Sequence, residues 1–193
     1  PVGSLEGETL DLSLAGTYQL KNLRTVLTIM GELVDTEFSA GADLIKKGLK
    51  SAEWPGRFQL LERNPHVLVD GAHNRAAASL LSEELQNYLP LRPEGAKVTL
   101  VFSALKDKNL KEMLSVLGPI ADSVYLTELE MARAAPLNLL EERADNLGLT
   151  YRGEDSPERA IKIAKQEAGP DDLVCITGSL YLVREALENE PRR

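Results

Sequence analysis

From Arg57 onward, short runs of apolar and β-branched residues alternate with longer stretches whose apolar positions recur at helical spacing. The runs cover 58–61, 66–69, 97–102, 123–126 and 173–177, each too short for a helix and bounded by turn-forming residues. Between them, 74–89, 110–117, 136–146, 157–167 and 180–187 read as helices. Pro136 and Pro157 suit the first helical turn, where a missing N–H leaves no bond unmade. The first 52 residues break this rhythm. Leu10-Asp11-Leu12-Ser13-Leu14 alternates like a strand with one buried face. Residues 18–34 then read as an amphipathic helix with Leu20, Leu23, Leu27, Met30 and Val34 toward one side, and 40–49 as a second, shorter helix.

Strands alternating with helices define the α/β class, because parallel neighbours need a long crossover that a helix supplies. The predicted fold is a Rossmann-like, mostly parallel sheet with helices on both faces, preceded by a small strand-plus-helices segment. The domain boundary is placed between residues 52 and 53, so that 1–52 and 53–193 are separate units. One strand and two helices bury too little to stand as an independent core. The leading segment is therefore expected to be the end of a preceding domain, and the start at Pro1 without a methionine fits that reading.

Composition narrows the function classes. A net charge of -8 excludes a general nucleic-acid or anionic-membrane binder, whose phosphate field would repel the chain. A local pocket of a few donors can still bind a small anion. The single cysteine, Cys175, sits in the apolar run Leu173-Val174-Cys175-Ile176 and reads as a small buried hydrophobe. No apolar stretch approaches the roughly 20 residues of a membrane span, and no signal peptide opens the chain. The expected location is cytoplasmic.

Ligands of open α/β sheets bind beyond the carboxyl ends of the strands. One such end reads Val69-Asp70-Gly71-Ala72-His73-Asn74, a polar cluster around a glycine at a helix start. Local pattern alone divides evenly between a ligand site and a turn in which Asn74 caps the helix while Asp70 and His73 are solvated. A second end reads Thr177-Gly178-Ser179, where Ser179 is either an anion contact or a simple helix cap. A third, Ser103-Ala104-Leu105-Lys106-Asp107-Lys108, sets two lysines where phosphate could be attracted. Arg57, after Trp54-Pro55-Gly56, is able to bind phosphate or carboxylate oxygens bidentately. The 193 residues contain no G-x-x-x-x-G-K-[ST] phosphate loop, G-x-G-x-x-G fingerprint, G-x-S-x-G elbow or metal-ligand spacing.

Five stretches in register carry a family resemblance: Gly16-Thr17-Tyr18-Gln19 with Asn22, Trp54-Pro55-Gly56-Arg57, Asp70-Gly71-Ala72-His73-Asn74, Ala104-Leu105-Lys106-Asp107-Lys108 and Thr177-Gly178-Ser179-Leu180-Tyr181. Together they resemble the folylpolyglutamate synthase/dihydrofolate synthase branch of the Mur-ligase superfamily, across essentially the whole chain. Two departures are Arg75, where the family often has proline, and Ser103, where it commonly has glycine.

The resemblance implies an N-terminal ATPase domain carrying the phosphate loop, of which 1–52 would be the remnant, and a C-terminal ligase domain, 53–193. It implies ATP and Mg2+, held mainly by that other domain, with no metal ligand in this chain. ATP would phosphorylate a carboxylate of folate or dihydropteroate, and the amine of L-glutamate would attack the acyl phosphate. By the same resemblance, Gln19, Asn22, Arg57 and Asp70 contact the nucleotide. His73, Asn74, Ser179 and Tyr181 hold glutamate, and Arg57, Asp70 and His73 form the catalytic set. The chain alone would be inactive, its partner being the ATPase domain of the same polypeptide. The alternatives are a stand-alone small-anion or glutamate-binding α/β module and the C-terminal domain of a cell-wall Mur ligase.

Overall fold

The computed structural model describes residues 5, 7–34, 36–37 and 40–189. The chain divides into two compact units, Pro1–Pro55 and Gly56–Arg193.

The first unit holds helices α1 (Gln19–Glu32) and α2 (Ala42–Ser51). Along α1, Leu23, Leu27 and Met30 are half-buried as their spacing predicts, but Leu20 lies on the solvent side with Val26 and Ile29. The strand expected at 10–14 is not formed. Its burial alternates as predicted, with Leu10, Leu12 and Leu14 half-buried and Asp11 and Ser13 exposed. A strand also needs a neighbour to complete its ladder. Here the segment is tied to the end of α2 instead: the Ser13 N–H donates to Leu49 O at 3.2 Å, and its hydroxyl reaches Leu49 O and Ala52 O.

The second unit is built on a six-stranded sheet of order β1-β2-β6-β3-β4-β5. The strands are β1 (Gln59–Arg63), β2 (His66–Asp70), β3 (Val98–Phe102), β4 (Ser123–Thr127), β5 (Tyr151–Glu154) and β6 (Leu173–Thr177). The helices are α3 (Arg75–Tyr88), α4 (Leu110–Leu117), α5 (Leu137–Asp145), α6 (Pro157–Glu167) and α7 (Leu180–Glu188). All neighbours are parallel except β1, which pairs antiparallel with β2. Only Asn64 and Pro65 join those two strands, too short a link for a parallel crossover.

Both faces of the sheet are covered, so its central strands are mostly apolar; every residue of β6 is buried. On one face Val67, Val69, Val101, Val174 and Ile176 pack with Ala160, Ile161 and Ala164 of α6 and with Leu182, Val183 and Ala186 of α7. The alternate residues, among them Leu68, Leu100, Phe102 and Leu126, are equally buried and turn to the other face, that of α3, α4 and α5. Each such side chain contributes about 1.5–3 kcal/mol on burial. Strand β5, which the sequence pattern did not predict, is a four-residue edge with only Glu154 buried.

This topology positions the site. The connections leaving β2 and β3 run to the α3–α5 face, while β6, lying between them, sends its chain to the α7 face. Connections that diverge from adjacent strands leave a crevice at their carboxyl ends.

Candidate active site

The carboxyl ends of β2, β6 and β3 lie in one register row, Asp70 opposite Thr177 and Thr177 opposite Phe102. The Thr177 hydroxyl donates to Asp70 O at 2.7 Å, and Ser103 N–H donates to Thr177 O at 3.4 Å. Gly178 follows with φ +100°, a conformation that favours glycine. A Cβ there would lie 2.3 Å from Ser103 O and 2.7 Å from the Phe102 ring. The crevice floor is therefore backbone against backbone, and it fixes where Ser179 begins α7.

Asp70 is buried, at 4% exposure, so the reading of it as a solvated loop residue is corrected. Its Oδ2 accepts from Phe58 N–H at 2.9 Å and its Oδ1 from Ala72 N–H at 2.8 Å. The first bond spans twelve residues and holds Phe58 at φ 42°, a left-handed geometry that costs a non-glycine residue roughly 1–2 kcal/mol. Arg57, half-buried, is the residue just before that turn. Asp70 thus orients the backbone on either side of the site, at Arg57-Phe58 and at Ala72-His73.

Half-buried His73 bonds through Nδ1 to Gly71 O at 2.8 Å. A carbonyl only accepts, so Nδ1 carries the proton and Nε2 is the nitrogen left for a reactant. Asn74 is exposed and caps α3, its Oδ1 accepting from Ala77 N–H at 2.9 Å. Ser179 is buried and caps α7, its Oγ accepting from Tyr181 N–H at 3.2 Å. Tyr181 is 47% exposed beside it. The capping accounts of Asn74 and Ser179 are what the geometry records, and each cap sets a helix N-terminus, with its partial positive charge, at the crevice.

Gln19 and Asn22 belong to the first unit, where Asn22 Nδ2 donates to Gln19 Oε1 at 2.7 Å. The second unit brings the others, Arg57, Asp70, His73, Asn74, Ser179 and Tyr181, to one edge. Cys175 lies beneath it, fully buried; burial, and then the Asp70 carboxylate, push its pKa up and keep it a neutral thiol.

Sequence reasoning missed two features of this edge. The hydroxyls of Ser103 and Thr127 are buried without a hydrogen-bond partner. Four residues before each of them, Thr99 of β3 and Ser123 of β4 meet through their hydroxyls at 3.2 Å. The other is a cation-lined cleft, where Lys111 of α4 and Arg143 of α5 join Lys106 and Lys108. The sequence marks Lys106 and Lys108 but not Lys111 or Arg143, because neither helix announces its neighbour. Among the described residues no group of three or more His, Cys, Asp or Glu is arranged to hold a metal ion. Nor is any helix among them long and apolar enough to cross a membrane.

A doubly wound sheet with a polar crevice at its switch point, floored by glycine and flanked by two capped helix starts, defines a ligand-binding α/β domain. Residues 56–180 match the model of the Mur ligase glutamate ligase domain, and the chain belongs to that family. It is 31% identical over 181 residues to dihydrofolate synthase/folylpolyglutamate synthase of Bacillus subtilis, covering 92% of this chain and 40% of that protein. To the Escherichia coli protein of the same name it is 30% identical, covering 83% and 36%. The fold matches the E. coli protein solved with DHPP and ADP, with a TM-score of 0.77, 29% identity, and coverage of 94% of this chain and 40% of that one. A bifunctional folylpolyglutamate synthase/dihydrofolate synthase solved with Mn, AMPPNP and L-glutamate gives a TM-score of 0.78 at 28% identity, covering 94% and 41%. The chain thus spans about two fifths of the length of these relatives.

Proposed function

We propose that this chain is the glutamate-adding half of an ATP-dependent ligase that joins L-glutamate to folate or dihydropteroate in the cytoplasm. The observation that carries the reading is the edge at β2, β6 and β3, where a buried carboxylate and a glycine floor hold a histidine and two helix N-termini in a family known by its glutamate ligase domain. Phosphoryl transfer asks a protein chiefly for positioning and charge stabilisation. ATP supplies the phosphoryl group that turns the substrate carboxylate into an acyl phosphate. The glutamate amine then attacks, phosphate leaves, and the amine gives up a proton as the amide forms. No metal centre is assigned to these residues; Mg2+ and most of the phosphate contacts belong to the ATPase domain proposed as the remainder of the polypeptide.

In this reading Arg57 binds phosphate oxygens, and Asp70 acts as its positioning residue, because both Asp70 oxygens already accept backbone bonds. His73 Nε2 meets the terminal phosphate or the incoming amine. The α7 N-terminus at Ser179, with Tyr181 beside it, takes a glutamate carboxylate, with Asn74 at the opposite helix start. Gln19 and Asn22 are assigned to adenine, since amides both donate and accept.

The test is turnover. The chain mixed with folate, ATP, Mg2+ and glutamate should yield no glutamylated product, while the longer enzyme containing it should. In that enzyme Arg57→Ala and His73→Ala should each cut kcat/KM by at least about a hundredfold. Unchanged kinetics would remove these roles.

A further inference from the structure

We propose that the amino edge of the sheet, at the opposite end of β2 from the candidate active site, binds a small tetrahedral oxyanion of the phosphate or sulfate class, held by Arg92 with Arg63 and His66. Arg92 carries the argument. It follows the helical turn Leu89–Leu91, is 9% exposed, and none of its three guanidinium nitrogens has a hydrogen-bond partner. A guanidinium is not deprotonated inside a protein, so its burial is not relieved by giving up a proton. Burying that charge without a partner is costly, and a buried ion that has lost its partner is the strongly destabilising case. Such a group calls for an anion, and its donors, fixed in a planar fork, match the oxygens of phosphate or carboxylate.

The neighbours supply further donors and no counter-charge. Arg63 ends β1 and His66 begins β2, and the two are paired across the hairpin. Arg63 is exposed, and its charge and that of Arg92 both bear on the His66 ring. His66 Nδ1 is bonded to the hydroxyl of Tyr88 at the end of α3, so Nε2 is the nitrogen left for a ligand. The acids nearby do not satisfy Arg92. Asp172 accepts from Lys97 N–H at 2.8 Å through one oxygen and from Gly169 N–H at 2.7 Å through the other. Asp171 and Glu94 are exposed, and neither is bonded to the guanidinium.

The number of donors decides the class of ligand. Three cationic or protonatable groups come from three places: the end of β1, the start of β2 and the chain after α3. A carboxylate spends both of its oxygens on one arginine fork. A tetrahedral dianion has oxygens left for Arg63 and for His66 Nε2. The guanidinium nitrogens are out of contact with solvent, so the anion enters as the exposed stretch Pro93-Glu94-Gly95 gives way. Four residue steps of β2 separate His66 from Asp70, about 13 Å at the usual strand rise. The site stands whatever the crevice at the other edge binds.

The experiment is a titration of this chain with low-millimolar sulfate, followed by NMR of its two histidine rings, His66 at this edge and His73 at the other. Sulfate, unlike phosphate, keeps its charge where histidine titrates, and chloride at matched ionic strength is the reference. The His66 signals should shift and saturate, and the melting temperature should rise by at least about 3 °C at about ten times Kd. A bound dianion favours the His66 imidazolium, so sulfate should bind at least about threefold more tightly at about pH 6 than at about pH 8. His66→Gln should remove that dependence. Arg92→Met should abolish the His66 shift and, with a buried unpaired charge gone, melt no lower than wild type without sulfate. Arg63→Gln, at an exposed position, should weaken binding about two- to fivefold. Lys111→Glu in the cation-lined cleft and Arg57→Ala at the crevice should leave the His66 response unchanged. A His66 ring that stays still while His73 moves overturns the proposal, as does a response that never saturates or that persists in Arg92→Met. Saturation by acetate at the same concentrations would make the ligand a carboxylate and overturn the tetrahedral assignment. If Arg92→Met does not fold, the wild-type His66 response and Arg63→Gln decide.

Discussion

The two units of this chain were read from the same kind of pattern, and they use it differently. In the second unit the apolar positions of the central strands are buried, and Asp70 and Thr177 at the ends of β2 and β6 are tied to backbone. In the first unit an equally clear alternation and an equally clear helical stripe yield few buried side chains. Only Leu5 and Ile45 among its described apolar residues are buried, and Leu20, Val26 and Ile29 stand 59%, 47% and 52% exposed. Periodicity records which side of an element is apolar; whether that side is covered depends on partners elsewhere. The second unit carries its own partners. Substitutions should therefore be costly there and cheap in the first unit, a contrast that hydrogen exchange resolved by unit can measure.

The largest effect is expected at Gly178. Gly178→Ala adds a Cβ 2.3 Å from Ser103 O in a backbone with φ +100°, so left-handed strain and overpacking act together. The loss should be about 2–5 kcal/mol, seen as weakened protection of β6, β2 and β3 amides. Wild-type protection would mean that the crevice floor yields, and the contrast between the units would lose its main support.

Asp70 comes next. Asp70→Ala orphans the N–H groups of Phe58 and Ala72, at about 1–3 kcal/mol each, and releases Phe58 from its left-handed geometry. Asp70→Asn keeps one acceptor and should cost about half as much in urea unfolding. If Asn equals Ala in stability while only catalysis falls in the longer enzyme, Asp70 would be a group that meets a reactant instead of one that positions Arg57.

A smaller effect distinguishes the amino edge of the same unit. His66, bonded to the Tyr88 hydroxyl, has a pKa lowered from 6.5, first by burial and then by Arg92 and Arg63, against a weaker opposite pull from Asp171. Above pH 6.5 the ring is neutral in both states. Below it the unfolded chain takes up a proton that the folded chain resists, so stability is lost as pH falls from 6.5 toward the lowered folded value. Melting temperature against pH should fall across that window, and His66→Gln should flatten the fall. A slope that survives the substitution belongs to another group.

Much of this contrast was already legible in the residues. β6 was read to its last residue because Leu173-Val174-Cys175-Ile176-Thr177 is buried on both faces and carries an unbroken apolar run up to Thr177. β5 was missed because Tyr151-Arg152-Gly153-Glu154 is an edge with one buried residue, where composition is unconstrained. The direction of β1 was implicit in the two-residue link to β2. At the site, the motif residues were found, but the work of Asp70 was not, because its partner Phe58 lies twelve positions away and only the antiparallel pairing of β1 brings it close. The meeting of Lys111 with Arg143 depends likewise on sheet order, which sets α4 beside α5 and which no local pattern encodes.

The smallest expected effect tests the first unit directly. Ile29 on α1 is 52% exposed, and isoleucine and serine have similar helix propensities. Ile29→Ser should therefore change stability by no more than about 0.5 kcal/mol, the range of surface substitutions. Ile45 on α2 is 8% exposed, and Ile45→Ala should cost about 2 kcal/mol or more if this unit has any packed centre. Exchange protection of the α1 and α2 amides reads both variants in one experiment. A large loss from Ile29→Ser would place α1 in a packed core and erase the difference between the units. Two small losses would mean that the helical stripe of the first unit has nothing in this chain to press against, and that its periodicity encodes a surface with the hydrophobicity of an interior.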